Sequence, residues 1–103
     1  MKLTNENAAD IFSQLGNATR LCIIKILVEA GDDGLKVGQI QKELGTPGST
    51  LSHHLLHLRN AGLIKQCRVG SALVCSVNYQ KLDMAIDYLQ AQCCIRVDLK
   101  KTG

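Results

Sequence analysis

Gly48-Ser49-Thr50-Leu51-Ser52-His53-His54-Leu55-Leu56-His57-Leu58-Arg59-Asn60-Ala61-Gly62-Leu63-Ile64 is the stretch on which the fold turns. Leu51, Leu55 and Leu58 recur at spacings of four and three, the buried stripe of a helix over about residues 49–60 that Ala61-Gly62 ends. Its other faces carry Ser49, Thr50, Ser52, His53, Leu56 and His57, so the outward surface is polar but uncharged. Just upstream, Gly45-Thr46-Pro47-Gly48 breaks the chain, and Val37, Ile40 and Leu44 mark a shorter helix over about residues 36–44. Two helices joined by such a break form a helix-turn-helix, whose second helix can enter the major groove of DNA.

Downstream, the β-rich runs Leu63–Val69 and Ala72–Val77 surround Gly70-Ser71 and predict a hairpin over residues 63–77, the wing of a winged helix-turn-helix. Asn78 can cap a last helix over about residues 79–93, with Leu82, Ala85, Ile86 and Leu89 as its stripe. Upstream, Ala8, Ile11, Phe12 and Leu15 give an amphipathic helix over about residues 4–15 that Gly16 ends. Asn17 caps a second helix over about residues 18–30, apolar nearly all round and therefore expected at the centre of the domain. The expected fold is mainly α with a small β-hairpin, one domain over residues 1–103, and the two amphipathic end helices suggest a homodimer seam. A chain this short hides only roughly 65% of its unfolded surface, which also favours a second copy.

Charge is unevenly spread. Residues 44–82 hold Arg59, Lys65, Arg68 and Lys81 with no acidic side chain, whereas the segments on either side nearly balance. A polyanion would meet this middle segment first, with Lys65 and Arg68 on the hairpin reaching backbone phosphates. Ser and Thr can bond phosphates or base edges, and His can reach guanine acceptors. Aromatic residues make up only 3% of the chain, which excludes a base-stacking platform for single strands. The longest apolar stretch, Leu21–Val28 interrupted by Lys25, is too short to span a bilayer, and the N-terminus opens no signal peptide. The expected setting is cytoplasmic, with no membrane partner. Five cysteines in such a chain do not fit a disulfide framework and read as reduced thiols.

The 48–64 stretch resembles the recognition-helix signature of ArsR/SmtB-type bacterial repressors, and Leu15-Gly16-Asn17-Ala18-Thr19-Arg20-Leu21 resembles the start of their second helix. The likeness covers about residues 8–94. It implies a homodimer joined through the first and last helices, which occupies double-stranded operator DNA and leaves it when an inducer binds. By position, Ser49, Thr50, Ser52, His53 and His57 are the expected DNA-facing residues, while His54 and the leucines match inward places. Leu56 stands where a polar or basic residue is more usual. Val69-Gly70-Ser71 lacks the acidic and arginine residues that commonly flank the wing glycine, leaving Arg68 as the main wing contact.

The inducer is read from the cysteines. The family's arsenic site in the third helix is absent, since Leu35–Ile40 has no cysteine, and its zinc site on the last helix lacks histidine here. His53, His54 and His57 read as DNA-facing or packing residues rather than a ligand set. Cys93-Cys94 can together ligate a soft, thiophilic ion, and two thiolates would satisfy a methylated or aryl As(III) species. No cofactor is required; the arsenical would be the inducer. The bland alternative is that both thiols are small apolar residues closing the dimer seam. A rival redox or reactive-sulfur switch would join Cys22 to Cys94. Otherwise Cys22 is expected in the core, with Cys67 and Cys75 as packing residues that a three-residue loop would set opposite each other. A small thiol oxidoreductase is disfavoured, because the chain has no Cys-x-x-Cys and no βαβ pattern, so no enzyme is expected.

Overall fold

A computed structural model of the chain describes residues 3–97. Five helices and three strands follow in the order α1 (Asn5–Leu15), α2 (Ala18–Ala30), β1 (Leu35–Lys36), α3 (Val37–Leu44), α4 (Gly48–Asn60), β2 (Ile64–Val69), β3 (Ala72–Val77) and α5 (Tyr79–Gln90). Thr4 Oγ1 caps α1 by accepting from Asn7 N, and Asn17 Oδ1 caps α2 by accepting from Arg20 N at 3.0 Å. The helix-turn-helix is a winged one, as expected, and its turn is Gly45-Thr46-Pro47. Gly45 adopts φ +67°, the left-handed close of α3, and Pro47 sets the extended entry to α4.

The wing has one strand more than expected. β1 pairs antiparallel with β3, Leu35 opposite Cys75, so the sheet order is β1-β3-β2. A two-residue strand carries too little periodicity to be read from sequence; tertiary pairing creates it. Gly34 makes it possible. Its φ is +69°, and an added Cβ would lie 2.2 Å from the Cys75 carbonyl oxygen. β2 and β3 pair from Ile64–Val77 to Val69–Ala72 around Gly70-Ser71. The loop therefore has two residues, and Cys67 faces Val74 while Cys75 faces Gln66, which overturns the opposed-cysteine arrangement.

The core gathers Ile11, Ile23, Leu27, Ile40, Leu51, Leu55, Leu58, Leu63, Cys75 and Val77. α2 is less central than its composition implies: Ile23, Ile24 and Leu27 are buried, but Leu21, Cys22 and Val28 are exposed. A helix that packs on one side has no contact to offer its outer stripe within a single chain. Cys22 and Cys67 are thus corrected to surface thiols, while Cys75 is fully buried. The last helix ends at Gln90, not at residue 93. Ala91–Val97 are all exposed, so no apolar face holds further turns in helical form. Instead Cys93 N donates to Gln90 O and Val97 N to Cys94 O, with Cys94 at φ +64°. Of the tail beyond Cys94, residues 98–103 lie outside the described residues, as do residues 1–2.

Candidate nucleic-acid interface

Leu51, Leu55 and Leu58 seat α4, each contributing about 1.5–3 kcal/mol by burial. With that stripe inward, helical periodicity turns Ser49, His53 and Leu56 directly outward. Ser52 and Arg59 fall on the flank toward the wing, and Thr50 and His54 on the flank toward α2. Ser49, Thr50, Ser52 and His53 are exposed and His57 is half-buried, so the expected readers share one surface. Leu56 is 45% exposed in the middle of it.

Two arginines brace this helix, and sequence reasoning assigned neither a role. On the α2 flank, Arg20 Nε donates to His54 Nδ1 at 3.3 Å, and Arg20 Nη1 donates to Gln14 Oε1 of α1. His54 is therefore a link between helices. Partial burial, then Arg20, then His53 and His57, hold its pKa below the ordinary 6.5, which keeps the ring neutral and able to accept. On the wing flank, Arg59 Nη1 donates to Gln66 Oε1 of β2 at 3.4 Å. A cleft of about 280 Å³ opens there, lined by Ser52, Leu56, Arg59, Gln66 and Leu73. The signal for Arg20 lies in its place in the first turn of α2, three residues after the Asn17 cap; Arg59 gives none until β2 is known to pass beside it.

On β2, strand alternation puts Ile64, Gln66 and Arg68 on the face toward α4, and Lys65, Cys67 and Val69 on the other. Lys65 and Arg68 are both exposed but on opposite sides of the wing. His53 and His57 come together: their Nε2 atoms lie 3.0 Å apart, rings edge to face. Among the described residues no three His, Cys, Asp or Glu side chains are grouped as a metal site.

Cys93 and Cys94 are exposed, with Sγ atoms 2.9 Å apart. Their hydrogen bond pushes the Cys94 thiol above its ordinary range. Cys22 is a free thiol on the outer side of α2, and all five cysteines are unbridged. No single helix among the described residues is long and apolar enough to cross a membrane.

Comparison with known proteins agrees with this geometry. A family model described as bacterial regulatory protein, arsR family, matches residues 17–66. The uncharacterized HTH-type transcriptional regulator MJ1325 of Methanocaldococcus jannaschii is 44% identical over 66 residues, covering 64% of this chain and 72% of that protein. The HTH-type transcriptional regulator YgaV of Escherichia coli is 26% identical over 94 residues, 91% of this chain and 93% of its own. Among solved structures, the transcriptional repressor PagR of Bacillus anthracis superposes with a TM-score of 0.67 at 31% identity, over 82% of this chain and 93% of that one. An ArsR family transcriptional regulator at 21% identity gives 0.75 over 89% and 92%, a likeness of fold. These relatives are regulators rather than enzymes, and with the winged helix-turn-helix in place the chain belongs to the arsR family of DNA-binding transcriptional regulators.

Proposed function

We propose that the chain is a homodimeric repressor, held on operator DNA by Ser49, Thr50, Ser52, His53 and His57 of α4 and by Arg68 and Lys65 from the two sides of the wing. A trivalent arsenical or another thiophilic inducer at Cys93 and Cys94 releases it. The observation that carries the inducer half is the pair of exposed Sγ atoms 2.9 Å apart, close enough for one soft centre to bind both. An aryl arsenic(III) oxide would form two As–S bonds and release one water, with both thiol protons leaving on its oxygen. Leu56 supplies an apolar contact that suits a thymine methyl group.

The seam through α1 and α5 draws support from exposed Ile86 and Leu89 on α5 and from the Tyr88 hydroxyl donating to Asn5 Oδ1 at 2.9 Å, which ties the two helices into one surface. Inducer binding must favour a dimer shape whose recognition helices no longer match successive major grooves. A cytoplasmic setting suits free thiols. The exposure of Cys22 favours a second reading, in which peroxide takes two electrons and both thiol protons from Cys22 and Cys94, leaving a disulfide and two waters.

Gel retardation on the chain's own promoter tests both readings, with phenylarsine oxide, arsenite, zinc and peroxide compared among wild type, Cys93→Ser/Cys94→Ser and Cys22→Ser. Phenylarsine oxide should release the wild type and Cys22→Ser but not the double variant. Equal release of the double variant overturns the arsenical reading, and release by peroxide that requires Cys22 establishes the redox one.

A further inference from the structure

We infer that the cleft between α4 and the wing is a binding site for a small apolar carboxylate, an acid with a single ring or a short branched chain. Its aliphatic lining comes from three elements: Val37 of α3, Leu55 and Leu56 of α4, and Leu73 of β3. Leu55 is buried, but Leu56 is 45% exposed, and the apolar body of a ligand would take that surface out of water. At about 280 Å³ the cleft lies just under the range of about 300–1,000 Å³ usual for small-molecule sites, which limits the occupant to a fragment of this size.

The polar part of the lining selects the head group. Ser52, Leu56 and Arg59 recur at spacings of four and three, so hydroxyl, apolar contact and guanidinium share one stripe of α4. Arg59 Nη1 donates to Gln66 Oε1 at 3.4 Å, while Gln66 Nε2 donates to the buried Cys75 Sγ at 3.5 Å. The second bond turns the amide so that its oxygen faces Arg59 and keeps the guanidinium at the cleft. Four of the five Arg59 donors have no acceptor among the described residues, and the planar fork suits a carboxylate through two parallel bonds. No acidic side chain lies within residues 44–82 to compensate this charge. Arg68 pairs with Leu73 across the sheet, on the strand face that Gln66 shares, and adds to the positive potential. Inorganic phosphate would satisfy the arginine and leave the leucines wet, and a neutral hydrocarbon would do the reverse. An apolar acid uses both.

Ser52 and Leu56 also belong to the surface proposed to face DNA, so an occupied cleft and a bound operator compete for them. The carboxylate site stands on the cleft alone; only this competition rests on the proposed role of α4. Benzoate titrated into the full chain labelled with ¹⁵N should give saturable amide shifts centred on Leu56, Gln66 and Leu73. Arg59→Met, which keeps an aliphatic stem, should weaken benzoate at least tenfold, with circular dichroism checking that the variant keeps its helices. Benzyl alcohol, the same ring without the charge, should bind the parent chain at least tenfold more weakly. A titration that does not saturate, an affinity unchanged in Arg59→Met, or inorganic phosphate binding as tightly as benzoate overturns the site. Saturating promoter duplex should weaken benzoate binding at least fivefold, and an unchanged value overturns the competition. If the chain retains no duplex at all, the repressor reading fails, while the titration still decides the site.

Discussion

Gly34→Ala tests how the helix-turn-helix is aimed. Gly34 precedes β1, which pairs with β3 and leads without a break into α3. Two separate costs meet at this residue. Its backbone, φ +69° and ψ −166°, lies in a region that is essentially glycine's own, worth about 1–3 kcal/mol. An added Cβ would also sit 2.2 Å from Cys75 O and 3.0 Å from Cys75 C, backbone atoms fixed in the middle strand. Forcing a methyl into such a space costs about 1–3 kcal/mol more. The expected loss is about 2–6 kcal/mol, or some tens of degrees at about 4–8 °C per kcal/mol for a domain of this size. Gly45→Ala provides the control. It shares a positive φ, +67°, but nothing lies within 4 Å of its added Cβ, so only the left-handed backbone penalty of about 1–2 kcal/mol applies. Urea unfolding of both variants at one protein concentration reads the difference, since the apparent stability of the proposed dimer would depend on concentration. Equal losses for Gly34→Ala and Gly45→Ala would refute the claim that close approach to β3, rather than backbone conformation, fixes β1.

Ile40, fully buried under the helix-turn-helix, should cost about 2–5 kcal/mol when cut to Ala, read by the same unfolding assay. His54, whose folded pKa lies below its ordinary 6.5, contributes stability that is whole above about that pH and is lost as pH falls toward the folded value; His54→Gln should flatten that acid limb in thermal melts at graded pH. Arg68→Ala and Lys65→Ala should each flatten the salt dependence of DNA binding by about 0.9 in log–log slope, one phosphate contact apiece, and an unchanged slope would remove that residue from the interface. Cys93→Ala removes the hydrogen bond that holds the Cys94 thiol above its ordinary range, so alkylation of Cys94 at about pH 8 should quicken relative to wild type.

The leucine spacing of 51, 55 and 58 determined the recognition helix by itself, because a helix that buries one face announces it at a period of 3.6. The cap at Asn17, the Gly45-to-Pro47 turn and the strand runs on either side of Gly70-Ser71 were legible for the same kind of local reason. Asn78 was legible only in position: it precedes α5, but its side chain donates to Gly62 O instead of capping. Three things needed the tertiary structure. β1 exists only because β3 lies beside it, the outer stripe of α2 is exposed because a single chain offers it nothing, and the last helix stops at Gln90 because no surface receives residues 91–97. The site divides likewise. Residue type and period placed Ser49, His53 and His57 on one outward surface, whereas the separation of Lys65 from Arg68, the Arg20–His54 and Arg59–Gln66 braces and the 3.0 Å imidazole contact depend on strand register and on side chains distant in sequence meeting in space. Periodicity reports which way a side chain points from its own element, and packing alone decides what stands opposite it.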